Sequence, residues 1–282
     1  MDKVLVAGAT GYLGKYIVKE LLNQNYSVRA IARTSEKLND IRHPNLEVVK
    51  ADVTKPDTLK DCLTGIKYVI STVGITRQKD GLTYMDVDYQ ANMNLMQEAK
   101  NAGVQKFIYT SAIKGNLYRH LKIFEAKEKF VDALKKSGLS YVIMRPNGFF
   151  SDMTDFFEMA KKGRVYLFGS GEQKLNPIHG EDLAKVFIEA INSNTTEIEI
   201  GGPDILSQNE IGELALNALG KPVKIMHLPD WIRKFTIWTV RTFTSSKTYG
   251  PIEFFLTLMA DDTIADCYGK HHLKDFYKSL TE

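Results

Sequence analysis

The stretch LYRHLKIFEAKEKF, residues 117–130, carries two lysines at spacings that suit hydride-transfer chemistry. Tyr118 and Lys122 stand one helical turn apart, where a phenol could give up a proton and an ammonium could lower its pKa. Lys127 follows Ile123 at the same spacing, with no phenol. Winding 122–136 as one helix at about 100° per residue separates the two lysines. Ile123, Phe124, Phe130, Val131 and Leu134 form an apolar arc with Lys127 at its centre, whereas Lys122 joins Lys129 and Lys136 on the polar side. An ammonium amid hydrocarbon is costly without a partner, and the hydroxyls of a bound ribose would supply one. Lys127 is therefore expected to face the chemistry and Tyr118–Lys122 to be a coincidence of spacing. The bland alternative is a Lys127 that snorkels to water at the packing rim.

A second constellation lies at the start of the chain. VLVAGATGYLG, residues 4–14, places Gly8, Gly11 and Gly14 between an apolar run and an amphipathic one. Such a turn lets backbone approach a pyrophosphate, whose charge is met by free N–H groups at the helix N-terminus. Thr10, Tyr12 and Leu13 complete that loop. The next apolar run ends AIARTSEKL, with Arg33 at its tip and Lys37 one turn on. An NAD site usually has a carboxylate there, and a guanidinium matches a phosphate by bidentate hydrogen bonding. NADP(H) is favoured over NAD(H). Asp52 and Val53 could lie beside the adenine, and Asp52 could equally cap a helix.

The elements that must position these residues alternate β-branched runs with helical patterns, the mark of βαβ units. Strands are expected at 4–8, 27–32, 46–51, 67–72, 105–111 and 140–145. Leu13, Ile17 and Leu21 form one apolar stripe between the first two, and Met93, Met96 and Ala99 another later. Right-handed crossovers then give an α/β, Rossmann-type, doubly wound parallel sheet. Beyond Pro146, helices are expected near 151–161, 181–192, 207–219 and 229–243, with strands at 165–168 and 196–200. Pro177 and the Gly201-Gly202-Pro203 turn break this part, so the expectation is one domain over 1–282. Its dinucleotide-binding core would be 1–146, and 147–282 a smaller, mostly helical part covering the substrate.

Bulk properties narrow the class. A net charge of +3 over 282 residues, with lysines spread along the chain, gives no reason to expect nucleic acid. Cys62 and Cys267 make no metal spacing and suit a reduced compartment. No stretch of about 20 apolar residues and no secretory pattern is present, so a cytoplasmic protein without a transmembrane segment is expected.

These residues together resemble the atypical short-chain dehydrogenase/reductase superfamily, with the nearest likeness to NmrA-like and divinyl-chlorophyllide-reductase-like members. The likeness rests on Gly8-Ala9-Thr10-Gly11-Tyr12-Leu13-Gly14, Arg33, Asp52-Val53, Ser71-Thr72-Val73-Gly74, Tyr109-Thr110-Ser111-Ala112, Lys127 and Arg145-Pro146-Asn147-Gly148-Phe149. NPIHGEDLA (176–184) and YGPIEFF (249–255) extend it over essentially the whole chain. The resemblance implies NAD(P)(H) binding and reduction of a double bond or carbonyl, although some members only hold or sense NADP(H). It places Thr72, Val73, Gly74, Pro146, Asn147, Gly148 and Phe149 with Lys127 at the cofactor, and Ser111 beside the reacting carbonyl. It also puts Ile123 in the family's tyrosine position, where no proton can be given. Two substitutes are His120, on the Lys127 face if the helix starts early, and Tyr118 from the preceding loop.

Further candidates each have a plain reading beside the functional one. Backbone amides at 147–149 could hold the nicotinamide carboxamide, and Phe149 and Phe150 could wall a substrate pocket or simply pack. His179 precedes a helix and is read as part of its cap rather than as an acid. The His271-His272 pair has no third ligand at a useful spacing, so no metal is expected. Residues 229–243, PDWIRKFTIWTVRTF, mix aromatic rings with cations and could form a lid, a homodimer or partner contact, or a membrane contact, with lid or interface preferred. The reading is an NADPH-dependent oxidoreductase delivering hydride to an apolar, conjugated small molecule. The alternative is a non-catalytic NADP(H)-binding regulator or assembly factor.

Overall fold

The computed structural model describes residues 1–76 and 81–281. Its first half runs β1 (Lys3–Ala7), α1 (Tyr12–Asn23), β2 (Ser27–Ala32), β3 (Leu46–Lys50) and β4 (Tyr68–Ser71). A π-helical turn, Met85–Ala91, then leads into α2 (Asn92–Asn101), followed by β5 (Lys106–Thr110), α3 (Lys122–Lys135) and β6 (Ser140–Pro146). β1, β2, β4, β5 and β6 are largely buried, as strands of a parallel sheet covered by helices are, whereas the edge strand β3 leaves Glu47, Val48 and Lys50 exposed. The strands pair in the order β6-β5-β4-β1-β2-β3, all parallel. The chain turns outward from β1 in one direction and from β4 in the other. That reversal opens a crevice at the carboxyl ends of β1 and β4, where ligands bind in open sheets.

The rest comprises α4 (Thr154–Lys161), β7 (Val165–Phe168), β8 (Lys174–Leu175), α5 (Gly180–Asn192), β9 (Glu197–Gly201) and β10 (Leu206–Ser207). After these come α6 (Gln208–Ala218), β11 (Ile225–Leu228), α7 (Asp230–Phe243), α8 (Ser246–Leu258), β12 (Asp266–Cys267) and α9 (Leu273–Ser279). β9 joins the sheet beside β6 and β12 beside β9, giving eight strands. Among the described residues no helix is long and apolar enough to cross a membrane.

The chain divides into two compact units, Met1–Arg145 with Leu183–Ile198, and Pro146–Asp182 with Glu199–Glu282. The break at Pro146 lies where the sequence pattern loosens, but most of α5 returns to the first unit. Leu5, Val69, Phe107 and Ile143 of the first unit pack against Leu95, Phe130, Val131 and Leu134. The second unit has its own core, in which Phe150, Phe156, Phe157, Leu216 and Tyr277 are buried together. Its α6 starts with a capping box, Ser207 and Glu210 bonding each other's backbone.

Candidate functional site

The glycine turn is shaped by close approach. Gly8 has φ +81°, and a Cβ there would stand 2.5 Å from Thr72 Oγ1. A Cβ on Gly14 would meet Gly8 O at 2.2 Å, so α1 can pack on the turn only without one. Gly11 caps α1 with no side chain, and no acid lies in the helix's first turn. The first turn of α1 therefore holds no acidic side chain that would compete with an anion.

Around this turn lies a cleft of about 320 Å³ in the first unit. It is lined by Gly8, Thr10 and Gly11 from the turn, Arg33 past β2, Asp52 and Val53 past β3, and Thr72, Val73 and Gly74 past β4. Tyr12, Leu13 and Gly14 belong to α1 behind it, and Lys37 is exposed on a short 3-10 turn. Asp52 Oδ1 accepts from Thr54 N and Thr54 Oγ1 at 3.0 and 2.7 Å, which is a local Asx cap. Thr72 Oγ1 donates to Ala7 O and Gly8 O and fixes the turn against β4. A glycine cradle that a Cβ would fill, a helix start without an acidic side chain and a guanidinium on the rim fit a phosphorylated dinucleotide.

Lys127 lies on the face of α3 that the helical winding indicated. The apolar arc is buried throughout, and Lys122 pairs with Glu125 on the exposed side. Lys127 does not reach for water: its side chain is 12% exposed, and Nζ stands 2.9 Å from Asp88 Oδ1. Its partner within the chain is thus a carboxylate. Asp88 sits in the π-helical turn with no exposure, and its Oδ2 accepts from Ile75 N. Burial pushes the Asp88 carboxyl up against the opposing pull of Lys127. The pair presses on Gly74, where a Cβ would lie 2.6 Å from Asp88 Oδ1 and 2.8 Å from Lys127 Nζ. Because Gly74 lines the cleft, the ion pair stands directly behind the wall. Asn92 anchors this corner, donating to Val73 O, Val87 O and Asp88 O and accepting from Ser71 Oγ at 2.6 Å. Asp88 and Asn92 were not among the residues singled out by sequence.

The proton donors are placed less favourably. Ile123 is buried on α3. The helix begins at Lys122, so His120 lies before it rather than on the Lys127 face, exposed and with its ring 6.0 Å from that of Tyr118. Tyr109, 5.8 Å from Lys127 Nζ, is wholly buried, and burial followed by the charges of Asp88 and Glu128 holds its phenol neutral, its pKa well above the ordinary value.

Ser111, expected beside a reacting carbonyl, belongs to a buried charge network. Its Oγ donates to Glu128 Oε1 at 2.7 Å and lies 3.2 Å from Arg145 Nη1. Arg145 grips Glu128 through both nitrogens at 2.6 and 2.8 Å, and its Nε bonds Glu197. Burial opposes the Arg145 charge, but the two carboxylates outweigh it and hold the guanidinium protonated. This network joins β5, α3, β6 and β9. Glu128 flanks the apolar arc of α3 in the sequence, and nothing there marks it as buried.

In the second unit, the backbone amides expected to hold a carboxamide are already used. Asn147 N donates to Ile200 O, Gly148 N to Asn147 Oδ1 at 2.8 Å and Phe149 N to Asp152 Oδ2 at 2.9 Å. Pro146 has no N–H to give. Phe150 is a core residue packed near Phe276 and His179, whereas Phe149 is half-buried and bridges to Ile178. The fold also draws His179, Glu181 and His271 together, their polar atoms within 4.8 Å of one another. Local spacing could not show this, because the residues come from segments about ninety positions apart. The two histidine rings lie 4.3 Å apart, tilted by 32° to each other. Asp182 meanwhile accepts from Lys270 N and His271 N and stands 2.9 Å from His271 Nδ1. This is a clasp between α5 and the loop before α9.

A family model described as NAD(P)H-binding matches residues 8–194. The divinyl chlorophyllide a 8-vinyl-reductase of Zea mays, named as chloroplastic, is 31% identical over 84% of this chain and 64% of its own length. This chain therefore spans less than two thirds of that relative. The photosystem II assembly factor Ycf39 of Guillardia theta is 28% identical over 80% of this chain and 73% of its own. The NADPH-dependent quinone oxidoreductase of Escherichia coli, solved with NADPH, has a TM-score of 0.74 over 99% of this chain and all of its own. At 17% identity that is a likeness of fold.

Proposed function

The chain belongs to the NAD(P)H-binding family of that description, among the atypical short-chain dehydrogenase/reductase proteins, and from this premise we propose that it is an NADPH-dependent reductase of an apolar, conjugated small molecule. The observation that carries the reading is Arg33 on the rim of the glycine-lined cleft, where an NAD site would have a carboxylate. Arg33 is assigned the extra phosphate, the N-terminus of α1 the pyrophosphate, and Lys127 the ribose. Asp88 is a positioning residue that holds Lys127 Nζ at 2.9 Å, against the wall formed by Gly74. The coenzyme, when bound, supplies the hydride. With Ile123 unable to donate, the proton falls to Tyr118 or His120 at the entrance to α3. NADPH oxidation against a panel of conjugated acceptors tests the proposal. Turnover that Tyr118→Phe or His120→Ala abolishes supports it.

The second reading, a protein that holds NADP(H) without chemistry, is favoured by Ile123, and the Guillardia relative is itself named an assembly factor. Tight NADPH binding with no turnover of any acceptor would select this reading over the first.

A further inference from the structure

α7 is unusual in this chain because none of its fourteen residues is buried. Trp231, Phe235 and Trp238 are 65%, 55% and 58% exposed, and Phe243 is 74% exposed. The first three fall at i, i+4 and i+7 and so share one stripe, with Lys234 and Arg241 on its flank. Their rings touch: Phe235 stacks on Trp238 at 5.8 Å, and Trp238 meets Phe243 edge-on at 6.3 Å. An apolar ribbon of this kind in water marks a surface meant to be covered.

Two further observations say what covers it. Residues 221–247 hold six basic side chains, Lys221, Lys224, Arg233, Lys234, Arg241 and Lys247, and one acid, Asp230, for a net +5. The whole chain carries +3, so everything outside this stretch sums to −2. The one acid is tied to Arg233 and Lys234, and Arg241 pairs with Glu253 of α8, which leaves Lys221 and Lys224 among the cations of the stretch outside these pairs. The helix has also satisfied its own hydroxyls: Thr236, Thr239 and Thr242 each donate at 2.8 Å to the carbonyl four residues back, and Thr244 does so just beyond the end. Hydroxyls bonded in this way ask nothing of the surroundings when water leaves. Rings on one face, cations beside them and no hydroxyl left wanting are what a helix lying in a bilayer interface requires, and anionic headgroups complete the charge.

We propose that α7 is a peripheral membrane-binding helix that lies in the plane of an anionic lipid surface, with Trp231, Phe235 and Trp238 among the acyl chains. The chain contains only two tryptophans, both on this face, so intrinsic tryptophan emission of the whole protein reports on this helix alone. The test titrates the full chain with vesicles of equimolar phosphatidylcholine and phosphatidylglycerol, and with phosphatidylcholine alone. Emission should shift to the blue and be quenched by brominated acyl chains with the anionic vesicles, and much less with the neutral ones. Lys224→Glu with Lys234→Glu should weaken that binding by about tenfold or more, and Phe235→Ser should weaken it with the fold intact by circular dichroism. No shift with anionic vesicles overturns the proposal. So does a blue shift that depends on protein concentration without lipid, because it identifies a second copy of the chain as the occupant.

Discussion

At the residue scale the decisive pair is Lys127 and Asp88. The two groups are buried together, so removing one leaves the other uncompensated. Lys127→Met should destabilise the protein by about 3 kcal/mol near neutral pH, measured by urea unfolding. The sign of its pH dependence follows from Asp88. Its folded-state pKa is already raised by burial and rises further without the ammonium. Stability in the variant is thus kept at acid pH and lost as the pH rises through that pKa. Lys127→Met with Asp88→Asn should recover part of the loss; strict additivity of the two would mean that they do not act as a pair. Arg33→Ala is the second residue-scale prediction. NADPH affinity should fall by about tenfold or more, and NADH affinity should hardly change, by fluorescence titration. Equal losses would remove the phosphate role. The sequence revealed Lys127 because a charge at the centre of an apolar arc needs an explanation. It did not reveal Asp88, which lies 39 positions away in a π-helical turn with no spacing to connect the two. Ser111 and Asn147 were visible as motif residues, yet both side chains are used in buried networks whose partners lie far along the chain.

At the element scale the glycine turn and the β6–α3–β9 corner can be tested separately. Gly14→Ala places a Cβ 2.2 Å from Gly8 O, against backbone that cannot give way. α1 should shift off the turn, and NADPH binding should be lost more completely than stability. An alanine variant that binds NADPH normally would show that the turn does not set the site. Glu128→Ala takes away the carboxylate that Arg145 grips with two nitrogens and leaves it Glu197 as its paired charge, and should cost about 3 kcal/mol or more by the same unfolding assay. The centre of the sheet was legible because β1, β4 and β5 are short apolar, β-branched runs, and α3 because its arc is regular. α7 was expected at 229–243 and forms at Asp230–Phe243. α8 and α9 were not read. Pro251 lies inside α8 and argues against a helix there, and α9 spans only seven residues. β8, β10 and β12 have two residues each, too short for any period to register.

At the scale of the whole molecule, acid should unfold the protein through its paired carboxylates. Glu197 is pulled by burial toward a higher pKa, but Arg145 and then Lys135 hold it below the ordinary value. Asp132 is held below its own by Arg119. A carboxyl with a depressed folded-state pKa contributes stability that is complete above its unfolded value, about 4 to 4.5, and is lost as the pH falls through the folded value. The melting temperature should therefore be level near neutrality and drop steeply below about pH 4, with Glu197→Gln flattening the drop. The architecture as a whole is a reversal point in a parallel sheet, with a glycine turn on one side and a lysine–aspartate pair on the other. Calorimetric titration of the intact chain with NADPH and with NADH tests that account most directly. It predicts one site per chain and a Kd for NADPH about tenfold or more below that for NADH. No heat with either coenzyme, or a preference for NADH, would contradict it.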